Sequence, residues 1–384
     1  MLHAHPVVLL SWAALLTAAV QKLRPTHPFF SVVVLTWQRT EFLERAVASV
    51  LAQSVARADY EILVVRGYHD PALDARLLAQ GVRLLPSFSA AQGPALAAAV
   101  LAAQGEVVVF LDDDDEFAPG KLAALRSLYD ADPSLVLVRN GNVSIDRDGR
   151  PAPEWAPCFW PASPADAPEE RRTPREKALG RTLPMHNLST ISARRSALLP
   201  SVGAWPAIPA GADATVFLSG LAAPGTVRAV PEPWTRRRIH PSTSLENFSD
   251  RGMGPPASLD RLRRLRHSHA HQTAMVEGTP AETAARWIEA IHRFEAALSA
   301  PEFPDPSPRE WWTLLRGIVR ERQPFRIPML PFAAARRIAP RWVIAAWWRF
   351  AGRWDRGEHT PADYARLFPR PGLAPSRPSP RAPH

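Results

Sequence analysis

From Phe29 to about Arg139 the hydrophobic pattern switches repeatedly between a continuous apolar period and a helical one. Phe30 to Leu35 is a nearly unbroken, β-branched run, which predicts a strand covered on both faces. Leu43, Ala46, Val47, Val50 and Leu51 then recur at helical spacing, with Thr40 as the expected N-cap. Tyr60 to Val65 predicts a second strand, Pro71 to Gln80 a short helix and Val82 to Leu85 a third strand. Pro94 opens an Ala-rich helix that stops at Gly105. Val107 to Leu111 predicts a fourth buried strand, with a helix following over about Gly120 to Tyr129. This alternation predicts an α/β fold, a mostly parallel sheet with helices on both faces. Ligands of such sheets bind beyond the carboxyl ends of the strands.

The signal weakens from Asn140 to about Pro184, where Pro, Asp and Arg dominate around Trp155, Phe159 and Trp160. That stretch reads as a loop over the site or an acceptor-facing insertion. Regular structure is expected again from Leu188 to His240, and helices near Leu259–His269 and Pro280–Leu298. Pro6 to Val20 is apolar but shorter than the roughly 20 residues that span a bilayer. No Lys or Arg precedes it and no small-x-small cleavage site follows. It reads as a helix packed on the domain or lying at a membrane surface. The expected organisation is an N-terminal apolar helix over 1–28, the α/β domain over 29–248, a basic, Trp-rich helical extension over 249–368 and a disordered tail over 369–384.

Composition adds a little. Of the 384 residues 46% are hydrophobic, enough for a substantial core, and the net charge of +9 favours anionic partners: phosphates, nucleic acid or an acidic membrane face. Cys158 is the only cysteine, which excludes an intramolecular disulfide and fits a reducing compartment.

The chemistry concentrates in the run Asp112, Asp113, Asp114 and Asp115, directly after the fourth strand and before Glu116, Phe117 and Pro119. Adjacent carboxylates repel unless a cation or protons compensate. In an extended chain side chains alternate, so Asp112 and Asp114 are expected on one side. Carboxylates gathered there suit a hard divalent ion, Mg²⁺ or Mn²⁺, which could grip a diphosphate. An ordinary acidic loop or a Ca²⁺ site is the alternative.

Several segments, in order, resemble the family-2 glycosyltransferases, which have the GT-A fold. Ser31–Arg39 with Glu41–Gln53 is similar to the family's opening strand, loop and helix, and Phe110–Pro119 to its Asp-x-Asp segment. Asn187–Arg195 resembles the strand before the acceptor site, Gly211-Ala-Asp213 the start of the helix with the catalytic base, and Ile239–Ser244 a late His motif. The resemblance covers about residues 29–245 and implies an inverting transfer of a sugar from a nucleotide-diphosphate donor to an acceptor hydroxyl. It implies Asp213 as base, Asp114 and Asp115 with His240 as metal ligands, and Asp112 and Asp113 facing the donor. Thr36 and Arg39 would line the nucleotide pocket. The implied partners are a nucleotide-sugar donor and a carbohydrate or lipid-linked acceptor, in surface polysaccharide or glycolipid assembly. The implied location is the cytoplasm, with peripheral contact at the inner face of the membrane.

The chain departs from the family pattern at the corner that reads the base. An Asp usually follows the second strand; here Arg66 does, and an Arg cannot accept a hydrogen bond. Either Asp70 substitutes, or the base is read differently. Leu96-Ala97 stands where the family often has Arg-Asn. These departures keep a second reading open, a GT-A-like protein that binds a nucleotide sugar or a partner without turnover. A nucleotidyltransferase is disfavoured, because no Gly-rich transfer loop lies near the first strand. In the C-terminal third, Trp311, Trp312, Trp342, Trp347, Trp348 and Trp354 interleave with arginines. This suits either a helical subdomain packed on the core or an interfacial helix on an anionic leaflet. No nucleic-acid motif accompanies the charge, so no nucleic-acid partner is expected.

Overall fold

The computed structural model describes residues 27–36, 40–87, 89, 91–151, 187–230, 232–238, 255–299, 302–320, 329–336, 338 and 342–343. The expected N-terminal helix, the expected tail, the segment 152–186, Arg39 and His240 lie outside the described residues.

The elements follow the sequence pattern closely. In order they are β1 (Phe30–Thr36), α1 (Leu43–Leu51), β2 (Tyr60–Arg66), α2 (Pro71–Ala79), β3 (Arg83–Pro86), α3 (Gln92–Ala102) and β4 (Val107–Asp112). Then come β5 (Glu116–Phe117), α4 (Lys121–Ala131), β6 (Leu135–Arg139) and β7 (Asn142–Ile145). The second half holds β8 (Ile191–Arg194), α5 (Arg195–Val202), α6 (Ala212–Ala222), β9 (Thr226–Ala229) and β10 (Thr235–Arg238). Four helices follow: α7 (Pro255–Met275), α8 (Glu282–Ser299), α9 (Pro308–Arg320) and α10 (Met329–Ala335).

Seven strands form the main sheet in the order β3-β2-β1-β4-β8-β6-β9. β3, β2, β1 and β4 are parallel neighbours, and β6 pairs with β9 in parallel. β8 is antiparallel to both β4 and β6. That inversion has a consequence for the site. The carboxyl ends of β4 and β6 and the amino end of β8 all lie on one edge of the sheet. A smaller sheet, β5-β10-β7, carries the acidic loop onward.

Each face of the main sheet is covered. Val32, Val34, Val107, Val109 and Leu111 pack beneath α1, α2 and α4. Val33, Leu63, Val108 and Phe110 pack beneath α3, α5 and α6. The continuous apolar runs follow from this, since both alternating sets are buried. The C-terminal helices belong to the second core: Trp287, Ile288, Ile291, Phe294, Leu298 and Leu314 are buried in it. Trp311 stands edge-on to Phe294 at 4.8 Å, whereas Trp312 and Trp342 are exposed. Among the described residues no helix is long and apolar enough to cross a membrane.

Two local expectations change. Thr40 does not cap α1; Phe42 holds that position without a side-chain bond, and only the Thr40 carbonyl accepts, from Leu43 N. The α3 helix starts at Gln92 rather than Pro94, because the Gln92 and Gly93 amides donate to the Pro209 and Ile208 carbonyls. This close approach demands glycine at 93, where a Cβ would fall 1.9 Å from the Trp205 carbonyl oxygen. Gly93→Ala is therefore expected to destabilise the protein by about 3 kcal/mol or more. Gly203→Ala, where a Cβ meets nothing within 4 Å, should shift stability by less than about 1 kcal/mol. Urea denaturation of both variants checks the contrast; equal losses would refute it.

Candidate active site

β4 is fully buried up to Leu111, and the chain does not continue extended beyond it. Asp113 and Asp114 form a turn, closed by Asp115 N donating to Asp112 O at 3.2 Å. The expected alternation is thus replaced by a reversal. Asp112 and Asp114 still share one side, and Asp115 joins them, with ligand oxygens of all three within 4.8 Å of one another. Asp113 is buried apart from this group, and its charge reaches Tyr68.

Asp115 holds the turn in place. Its Oδ2 accepts from Asn187 Nδ2 at 2.6 Å and from Ser189 Oγ at 2.7 Å, and its Oδ1 accepts from Arg238 N at 2.9 Å. Ser189 Oγ also accepts from Asp112 N at 2.9 Å. The buried Arg238 side chain donates Nε to Asp114 O at 2.9 Å and a terminal nitrogen to Glu116. Lys121, fully buried, gives its Nζ to Ser189 O at 2.6 Å and Thr235 Oγ1 at 3.1 Å.

The carboxylates repel across this turn. Burial, then the charges of Asp115, Asp114, Asp113 and Asp213, raise the Asp112 pKa well above the ordinary range. Burial and Asp114 raise Asp115 to about 6, against the three donors that lower it. Burial also pulls Lys121 well below the usual lysine range, against the charge of Asp115. Oxygen ligands of one Mg²⁺ or Mn²⁺, each about 2 Å from the ion, lie at most about 4–5 Å apart. The oxygens of Asp112, Asp114 and Asp115 fit that span. Because Asp115 is already held by three donors, Asp112 and Asp114 are the better placed ligands.

Asp213 reaches the same edge from elsewhere. It lies in the first turn of α6, where Gly211, at φ 80°, occupies the cap position. Its Oδ1 accepts from Ala214 N at 2.9 Å. Its charge contributes to the raised pKa of Asp112 and opposes the lowering of Arg139 by burial. The helix start is pinned from two sides: Ala212 N donates to Gln92 Oε1 at 3.1 Å, and Gln272 Nε2 of α7 donates to Gly211 O at 3.0 Å.

The opposite corner lies at the ends of β1 and β2, where Thr36 and Arg66 are register partners. Arg66 is paired with Asp74 of α2 at 2.5 Å, and a second nitrogen donates to the Tyr68 carbonyl. A carboxylate is therefore present here, contributed by α2 rather than by the strand end. Asp70 caps α2, its Oδ1 accepting from Leu73 N at 3.0 Å. The Tyr68 and Thr36 hydroxyls are neighbours, but no well-formed hydrogen bond joins them. Arg66 Nε, Tyr68 Oη and Asp74 Oδ1 are all buried without a hydrogen-bond partner. Such a group of orphaned polar atoms calls for a ligand or water.

Asn187, Ser189, Arg238, Tyr68 and Asp74 are thus site residues to which motif reading assigned no role. Only for Asn187 and Ser189 did a signal exist, since both fall within the Asn187–Arg195 segment.

The charge excess at Asp112 gives a signed expectation. With a chelator present, the folded protein retains a proton on Asp112 that the unfolded chain releases above about pH 4, so this group's contribution to stability falls as pH rises. Asp112→Asn should therefore be more stable than the metal-free parent at pH about 7.5, with the advantage shrinking toward pH about 4. Urea titrations at both pH values check this, and a variant destabilised equally at both would contradict it.

Residues 31–198 match the family model described as Glycosyl transferase family 2. An uncharacterized glycosyltransferase of Nostoc sp. is 38% identical over 105 residues, which cover 26% of this chain and 32% of the relative. The chain thus spans about a third of that protein's length. Among solved structures, residues 1–349 of S. aureus TarS superpose with a TM-score of 0.51 at 15% identity, covering 86% of this chain and 92% of that one. The same TarS fragment in complex with UDP-GlcNAc gives 0.51 at 16% identity, covering 85% and 92%. Residues 31–198 are thus similar to the glycosyl transferase family 2, and the mostly parallel sheet with its acidic turn has a fold of the kind seen in TarS.

Proposed function

We propose that the protein transfers a sugar, with inversion, from a nucleotide-diphosphate donor to an acceptor hydroxyl, in assembly of a surface polysaccharide or glycolipid. One observation carries the reading: α6, whose first turn contains Asp213, packs against β6, β8 and the Leu188–Thr190 turn, and Ser189 of that turn holds Asp115 of the acidic run after β4. Asp213 takes the proton of the attacking acceptor hydroxyl. Asp112 and Asp114 would hold a divalent cation, Mg²⁺ or Mn²⁺, which supplies charge stabilisation for the departing diphosphate. Asp115 keeps the turn closed, through Asn187, Ser189 and the Arg238 amide.

The base-reading corner suggests the nucleotide. Arg66 Nε and Tyr68 Oη offer donors, and Asp74 Oδ1 offers an acceptor. A donor–acceptor–donor set complements an imide edge, carbonyl–NH–carbonyl, which uracil and thymine have and guanine, cytosine and adenine lack. The TarS complexes with UDP and UDP-GlcNAc support a uridine donor. Asp70, capping α2, keeps that corner in place rather than reading the base. Thr36 lines the pocket; Arg39, near phosphate or base, and His240, as metal ligand or diphosphate contact, belong to the reading from outside the described residues. Nucleotide sugars place the work in the cytoplasm. The exposed Trp312 and Trp342 support peripheral contact with the membrane's inner face.

A panel of UDP-, dTDP-, GDP- and CDP-sugars, assayed for hydrolysis with Mn²⁺, is expected to give turnover with UDP- or dTDP-sugars only. No turnover, with nucleotide binding retained, would favour the non-catalytic reading. Asp213→Asn should lower transfer at least about 10³-fold while leaving UDP affinity within about twofold. If transfer survives, Asp213 is not the base. Asp74→Asn turns the acceptor into a mixed group and should weaken UDP binding by about tenfold or more; calorimetry tests it.

A further inference from the structure

The buried cations of this protein are almost all engaged. Arg238 gives Nε to Asp114 O and a terminal nitrogen to Asp146 O and Arg147 O, and it pairs with Glu116. Lys121 has two oxygen acceptors. Arg139 differs. Its Nε is buried with no hydrogen-bond partner. Among the described residues the charge of Asp213 is the one that acts on it. Burial lowers its pKa to about 10, with Asp213 acting in the opposite direction.

Its position is specific. Arg139 ends β6 on the carboxyl edge of the sheet, with Ile191 of β8 and Ala229 of β9 as register partners. The next residue, Asn140, donates its amide to Thr190 O at 3.0 Å, so this strand end abuts the Asn187–Thr190 segment that holds Asp115. α6, which begins with Asp213, packs on the same strand so tightly that a Cβ at Gly220 would fall 2.9 Å from Leu137. A half-buried guanidinium whose buried Nε lacks a hydrogen-bond partner is costly, and folding alone gives no reason to keep it. Its fork of donors matches the oxygens of a phosphate or carboxylate.

We propose that Arg139 is an anion-binding residue of the transfer site, holding a phosphate or carboxylate oxyanion of a reactant beside Asp213. This rests on the reading of that edge as the site of transfer. Two sources supply the same chemistry: the diphosphate of the donor, or a phosphate or carboxylate borne by an anionic acceptor.

The test uses the full chain with Arg139→Met and Arg139→Lys. Three probes are titrated by calorimetry: UDP with Mn²⁺, uridine, and inorganic phosphate added to the UDP-saturated protein. If the donor supplies the anion, Arg139→Met weakens UDP by about 10- to 100-fold and leaves uridine unchanged. If an acceptor supplies it, UDP is unchanged and the phosphate response is lost. Arg139→Lys keeps a charge without the fork and should fall between the parent and Arg139→Met. Parental affinities for UDP and phosphate in both variants overturn the proposal. A second readout needs no ligand. An arginine kept for an absent anion does not stabilise the empty protein, so ligand-free Arg139→Met should melt at or above the parental temperature. A clear drop identifies a structural arginine and also overturns the proposal. Should the parent bind no UDP at all, the donor reading fails, while phosphate binding and the melting comparison still judge Arg139.

Discussion

The carboxylate of Asp115 is the contact on which the site depends. It is buried, and its two oxygens draw in three donors from two distant segments: Asn187 and Ser189 before β8, and the Arg238 amide in β10. Each bond to an ionised acceptor in such surroundings is stronger than a neutral one. Together they convert a run of like charges into a closed turn and tie the small sheet β5-β10-β7 to the edge of the large one. The same bonds lower the Asp115 pKa that burial raises, so the anion is retained where its neighbours disfavour it.

The balance of charge around that turn separates scaffold from site. Arg238 and Lys121 are buried yet saturated with oxygen acceptors, and they hold loops. Asp112, by contrast, sits among four other carboxylates, and the corner at Arg66, Tyr68 and Asp74 contains polar atoms with nothing to bind. A fold stabilised by only a few kcal/mol keeps such uncompensated groups where a ligand compensates them. Excess negative charge at one corner and orphaned donors and acceptors at the other set these two places apart from the scaffold.

The C-terminal helices are part of this arrangement. Gln272 of α7 reaches Gly211 O at 3.0 Å and Thr215 Oγ1 at 2.8 Å, and Ser268 accepts from Ala210 N at 3.0 Å. They bracket the left-handed Gly211 that starts α6, while α8 fills the core beneath it. The orientation of Asp213 is thus set in part by residues beyond the segment that matches the family.

Much of this was readable in the chain itself. Continuous β-branched apolar runs of strand length point to buried strands, so the parallel strands and the place of the acidic run at the mouth of β4 were legible in the local pattern. The ordered motifs likewise singled out Asp112–Asp115 and Asp213 as candidates. What no local pattern could give was which distant groups meet. β8 enters antiparallel, and this decides that Asn187 and Ser189 arrive at the acidic turn. Asp74 comes to Arg66 from a helix face eight residues on, where motif reading looked to the strand end and to Asp70. The turn itself overrode the alternation expected of an extended chain, because Asp115 gains three bonds by folding back. Periodicity reports which residues avoid water, and long-range polar pairing is settled only when the strands have taken their order.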